Sequence, residues 1–246
     1  MDAELTALVK DLEQAAGTNL LSVILYGSAV SGEFHAKHSD LNVLCLFDQL
    51  DAGVLAGISG ATRAWTQKGH PAPLMFAADE LTRAADIFAI ELVDIKANHQ
   101  VLRGADLVAS IEVPMALHHL QVERELRQSL VRLREHYLAR PKPLAAVLEL
   151  MTGSISSFVT LFRHAAIALG MPFPESEKPL RKREVVDHLA AALKFNARPF
   201  HAILGVREGK LARREIDVDG TFREYLAGVD RVVDEVDRRL EERSGG

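Results

Sequence analysis

Every run of this chain that reads as a β-strand lies before Pro114, and beyond that residue only long segments of helical period remain. A chain divided in this way pairs a sheet-bearing first part with a helical second part. In the first part Leu5, Leu8, Val9, Leu12, Ala15 and Ala16 recur at three- and four-residue steps, which predicts an amphipathic helix over Asp2 to Ala16 that Gly17 stops. Leu20 to Tyr26 and Leu41 to Phe47 are short runs rich in Leu, Val and Ile and read as buried strands, the first entering a turn at Gly27-Ser28. Asp51 to Lys68 carries Val54, Leu55, Ile58, Ala61 and Trp65 on one stripe and reads as a helix terminated by Gly69. Pro73 to Phe76 is a short third strand, Asp79 to Ala85 a small helix, and Ala89 to Ile95 has the composition of a fourth strand, with Gly104 closing the region.

The second part reads as helices over Met115 to Leu138, Leu144 to Leu169, Glu184 to Leu193, Pro199 to Val206 and Thr221 to Glu242. Pro141 and Gly170 punctuate the first two. The dense charges of Arg124 to Arg140 and Asp230 to Arg243 read as solvated helix faces, and the proline-rich stretch Met171 to Pro179 as a rigid connector. We expect one domain over residues 1–112 and a helical domain over 113–246.

With 48% apolar residues in 246, each part has material for a core without covalent staples. The one cysteine, Cys45, lies inside an apolar run, so an intrachain disulfide and a cysteine zinc cluster are both excluded, and it reads as a small buried hydrophobe. His118, His119 and His164 lack a second ligand one helical turn away and read as satisfied or solvated histidines. There is no basic leader, and no uncharged apolar stretch approaches the roughly 20 residues of a membrane span, so a cytoplasmic protein with no membrane partner is expected. A net charge of −5 has the wrong sign for general nucleic-acid binding.

The chemistry is concentrated in Leu25-Tyr26-Gly27-Ser28, Gly32 and Ser39-Asp40-Leu41-Asn42-Val43-Leu44, held between two strands. Gly27 lets backbone approach a ligand closely, and Ser28 can cap a helix start whose free N–H groups suit phosphate. Asp40 and Asn42 stand two apart, so on a strand their side chains leave the same face and can share a metal. This combination resembles the signature of the DNA polymerase β-type nucleotidyltransferase superfamily: Gly-Ser, a short helix, then Asp-x-Asp on a strand. The sharp part of the resemblance covers Leu20 to Phe47. Asp94-Ile-Lys-Ala-Asn-His99 through Gly104 also looks like the closing portion of bacterial nucleotidyltransferase-like proteins. The pairing with a helical half looks like the antibiotic nucleotidyltransferases of the kanamycin nucleotidyltransferase kind.

The resemblance implies an α+β fold, with a mixed sheet flanked by helices in the first domain and an all-α bundle in the second. It implies that Gly27 and Ser28 hold nucleotide phosphates, that Lys37 contacts them as a point charge, and that Asp40 binds Mg2+. Asn42 stands where the family has its second aspartate; its amide offers an oxygen but no charge, so metal affinity falls. The family's third carboxylate has no counterpart in Pro73 to Phe76. Asp94 is the favoured substitute over Glu91; on a strand the two would point to opposite faces. Glu149 is a candidate base on the acceptor side. Arg132 and His136 are too close in sequence for the pattern of a helical ribonuclease.

The reading that follows is Mg2+-dependent transfer of a nucleotidyl group from an NTP, ATP by preference, to an unidentified acceptor. The alternative is a protein of the same fold that binds a nucleotide or a partner without turnover; a helical half that serves homo-oligomerisation or partner binding is compatible with either. Convergence of two or more carboxylates on Asp40 favours the enzyme.

Overall fold

The computed structural model describes residues 2–31, 41–139, 144–171 and 180–244. The chain divides into two compact units, Met1–Met115 and Ala116–Gly246. The fold is α+β, with a mixed sheet in the first unit and an all-α second unit.

In the first unit helix α1 (Asp2–Ala16) leads into β1 (Leu20–Tyr26), a single-turn helix α2 (Ser28–Ser31) and β2 (Asn42–Phe47). Then come α3 (Ala52–Thr66), β3 (Leu74–Ala77), α4 (Ala78–Arg83), α5 (Ala89–Ala97) and β4 (His99–Gly104). The sheet order is β3-β2-β1-β4. β1 runs antiparallel to both β2 and β4, while β2 and β3 are parallel.

Alternation along the strands divides two cores between the faces of the sheet. Val23, Leu25, Val43, Cys45 and Phe47 pack with Leu5, Leu8 and Leu12 of α1 and with Ile58 and Trp65 of α3. Ile24, Leu44 and Leu46 pack instead with Leu81 of α4, with Leu92 and Ile95 of α5, and with Val108 and Ile111. Cys45 is fully buried, and burial pushes its thiol up to about 12. Asp51 caps α3, its carboxylate accepting from the Val54 N–H at 2.9 Å. Leu55, expected on the buried stripe of that helix, is 47% exposed. The stripe is narrower than its apolar spacing suggests.

One expected element is corrected. Ala89 to Ile95 is not a strand: it belongs to α5, and the fourth strand is His99–Gly104. The buried residues Ala89, Ile90, Leu92 and Ile95 are spaced for one face of a helix, and that period outweighs their strand-like composition. β4 approaches β1 so closely that a Cβ on Gly104 would lie 1.9 Å from the Leu21 carbonyl oxygen, and φ at Gly104 is +81°. Beside it the buried Ser22 hydroxyl donates to the Ala105 carbonyl at 2.8 Å.

The second unit is built from α6 (His118–Ala139), α7 (Leu144–Ala168), α8 (Lys182–Leu193), α9 (Arg198–Arg207) and α10 (Val218–Ser244). By length and composition α7 would pass for a membrane span, which its two charged residues, Glu149 and Arg163, kept out of the sequence reading. Its apolar side chains pack inside the unit, with Phe158 and Phe162 entering an aromatic cluster with Phe195, Phe200 and Tyr225. Tyr225 is fully buried and shares a hydrogen bond of 3.0 Å with the Ser154 hydroxyl; burial raises its pKa well above the ordinary phenol range. The charged faces of α6 and α10 meet each other, Arg127 with Asp237 at 3.0 Å and Arg134 with Asp230 at 2.6 Å.

Candidate functional site

One end of the first unit's sheet collects the C-terminus of β1 and the N-termini of β2 and β4. Register places Tyr26 opposite Asn42 on one side and opposite His99 on the other, so His99, Tyr26 and Asn42 form a row across three strands. The chain leaves β1 at Gly27, whose φ of +78° is left-handed. Its N–H donates to the Asn98 carbonyl at 3.1 Å, which ties the turn to the end of α5. The Gly27 carbonyl accepts from the Val30 N–H at 3.0 Å and closes the turn that Ser28 opens.

Gly27 and Asn42, the two halves of the sequence motif, meet here. A Cβ on Gly27 would stand 3.3 Å from the Asn42 amide nitrogen, closer than side chains ordinarily pack. Asn42 is half-buried and belongs, by alternation, to the α5 face of the sheet with Leu44 and Leu46. Asp40 and Lys37, the expected metal and phosphate ligands, lie outside the described residues, as do Gly32, His35, His38 and Ser39.

Asp94 and Glu91 ride on α5 rather than on a strand. The expectation that they point to opposite faces therefore fails, because residues three apart on a helix are neighbours. Glu91 lies near enough to Tyr26 for its charge to act on the phenol: burial first, and Glu91 second, push the Tyr26 hydroxyl up to about 12. Asp94 is half-buried one turn further on. β3, Leu74–Ala77, brings no acid to the sheet.

His99 is a member of this end that sequence reasoning missed, since its strand had been placed one element too early. Its Nδ1 lies 3.0 Å from the Ile95 carbonyl and its Nε2 3.0 Å from the Asp106 carboxylate, so both ring nitrogens face oxygen acceptors. The hydrogen bond from His99 holds the Asp106 carboxyl below the ordinary carboxylate range. Its signal in the sequence was the Asn98-His99 pair directly after a helical period. Among the described residues no group of three or more His, Cys, Asp or Glu comes together as a metal cage. Asn42 itself offers a hard divalent cation only an uncharged oxygen.

A groove of about 430 Å³ opens elsewhere on the first unit, bounded by Val9, Lys10 and Glu13 of α1, Leu25, Ala29 and Gln100. Gly27 and Asn42 do not line it. In the second unit His118 and His164, distant in sequence, meet in the core at 2.9 Å, a pairing that spacing along one helix could not reveal. Glu149 faces Arg213 at 3.7 Å, both side chains well exposed.

No family model matches the chain, and no curated protein matches it either. Among solved structures the chain is similar to a spectinomycin adenyltransferase from Enterococcus faecialis, in a crystal structure with ATP and spectinomycin. The two share 14% sequence identity and a TM-score of 0.60, over 94% of this chain and 99% of that one. At that identity the likeness is one of fold, and it makes the fold of this chain nucleotidyltransferase-like.

Proposed function

We propose that the first unit binds ATP at the sheet end where Gly27 meets Asn42 and transfers its nucleotidyl group to the hydroxyl of a small acceptor. The observation that carries this reading is that Gly27, in a left-handed turn, leaves open the space beside the Asn42 amide, where a Cβ would stand 3.3 Å from its nitrogen, so the two halves of the motif lie side by side. The adenyltransferase-like fold supports it. Gly27, lacking a side chain, lets the phosphates approach the backbone, the N–H groups of the turn from Ser28 onward bind them, and Lys37 adds a point charge.

In this reading Asp40 and Asn42 hold Mg2+, which when bound neutralises charge on the phosphates. The chain's own groups align the acceptor: its oxygen attacks the α-phosphorus in line, the new P–O bond forms as the bond to the bridging oxygen breaks, and pyrophosphate leaves. The acceptor's proton passes to Asp94, which completes the carboxylate set from α5.

Calorimetric titration of ATP with and without Mg2+ tests the site. Magnesium-dependent binding that Asp40→Ala abolishes supports it; absence of ATP binding by the unaltered protein overturns it. Release of pyrophosphate with an acceptor, lost in Asp94→Asn while ATP still binds, supports turnover.

A second reading, nucleotide or partner binding without turnover, is favoured by Asn42 and by the acid-free β3. Asn42→Asp separates the two: a gain in magnesium affinity accompanied by the appearance of pyrophosphate release identifies the native site as a binder that lacks one charge.

A further inference from the structure

A groove of about 320 Å³ runs along the second unit between α6 and α7. Its floor is Leu133, Leu150 and Phe158, all buried. One wall carries Ser129, Arg132 and His136 of α6, the other Glu149, Gly153 and Ser157 of α7, each set repeating at three- or four-residue steps. Small residues on α7 open the space that longer ones would fill.

Two features of these walls lack a structural purpose. Gly153 stands within a helix, where glycine costs about 1 kcal/mol relative to alanine, yet a Cβ there would meet nothing within 4 Å. Its absence relieves no crowding; it adds room. Arg127 and Arg134, on the same helix as Arg132, pair with acids of α10, whereas neither Arg132 nor His136 has an ion-pair partner among the described residues. Glu149, the acid of the groove, faces Arg213. The lining is therefore an apolar floor under a guanidinium, an imidazole and hydroxyls, with its one carboxylate already opposed by an arginine.

We propose that this groove binds a small organic oxyanion, its apolar body on Leu133, Leu150 and Phe158 and its carboxylate or phosphate monoester held by Arg132 and His136. The volume lies at the small end of ligand sites and suits a body of about one ring. A planar guanidinium matches either oxyanion through paired N–H groups. The site lies within the helical unit and needs nothing from the nucleotide site proposed above.

Titration of the full chain with phenyl phosphate and benzoate, compared with inorganic phosphate and benzyl alcohol, tests the proposal. One or both aromatic anions bind saturably below about 10 mM, and whichever binds tighter identifies the oxyanion. Inorganic phosphate, lacking the body, and benzyl alcohol, lacking the charge, bind at least about ten-fold more weakly. Arg132→Gln, a change at an exposed side chain, weakens binding by about ten-fold or more, and Gly153→Leu, which fills the space, abolishes it while circular dichroism stays unchanged. Failure of both aromatic anions to saturate, equal binding of benzyl alcohol, or binding that survives in folded forms of both variants overturns the proposal.

Discussion

Gly104 shows how much a single hydrogen atom in place of a methyl can decide. A Cβ there would overlap the Leu21 carbonyl, and φ is left-handed, so Gly104→Ala forces β4 away from β1. We expect a loss of about 3 kcal/mol or more in urea denaturation, above the range of a strained backbone residue alone. Tyr26 offers a second reading at this scale. Its hydroxyl is raised to about 12 by burial and then by Glu91, so folding favours the neutral phenol. That contribution is complete below the unfolded value near 10 and is lost as pH rises through the folded value. Absorbance titration at alkaline pH is expected to show one tyrosine ionising near 12 in the folded protein, and at lower pH in Glu91→Gln. The left-handed turn at Gly27 was legible because it follows from local turn chemistry, and the structure sets Asn42 beside it. Gly104 was legible only as a closing glycine: the carbonyl that requires it belongs to a strand far away in sequence.

Among the elements, α5 and β4 are where sequence and structure part. Ala89 to Ile95 has apolar, strand-like composition, but its burial follows the helical step, and the true strand His99–Gly104 carries His, Gln and Arg that mask its alternation. An edge strand, paired on one side only, has little need of the apolar run by which interior strands are recognised. The displacement moved Asp94 and Glu91 onto a helix and brought His99 into the row with Tyr26 and Asn42, so the carboxylates beside the site could not be oriented from spacing alone. If α5 is the lid on the Ile24, Leu44 and Leu46 face, Leu92→Ala opens a cavity beneath it. The expected cost is about 3 kcal/mol, with amide exchange rising in α5 and β4 before β2. The helices of the second unit were legible because their periods are long and their ends are marked by Pro or Gly.

Over the whole molecule, the chain divides into two compact units beside Pro114, where the partition of strand and helix also falls. What the partition could not convey is which distant positions meet inside each unit. The His118–His164 contact and the aromatic cluster around Tyr225 join helices through tertiary packing, and no local period encodes them. The same packing gives the chain an internal timer. Its one thiol, Cys45, sits with no exposure in the middle of the sheet, and burial keeps it protonated. A thiol-reactive dye added to the native protein should therefore report how often the β1–β2 core parts, stoichiometrically fast in denaturant and slowly without it. Ligands that steady the first unit would slow that clock, and since no other thiol competes, a cysteine introduced on any exposed helix would carry a label of its own.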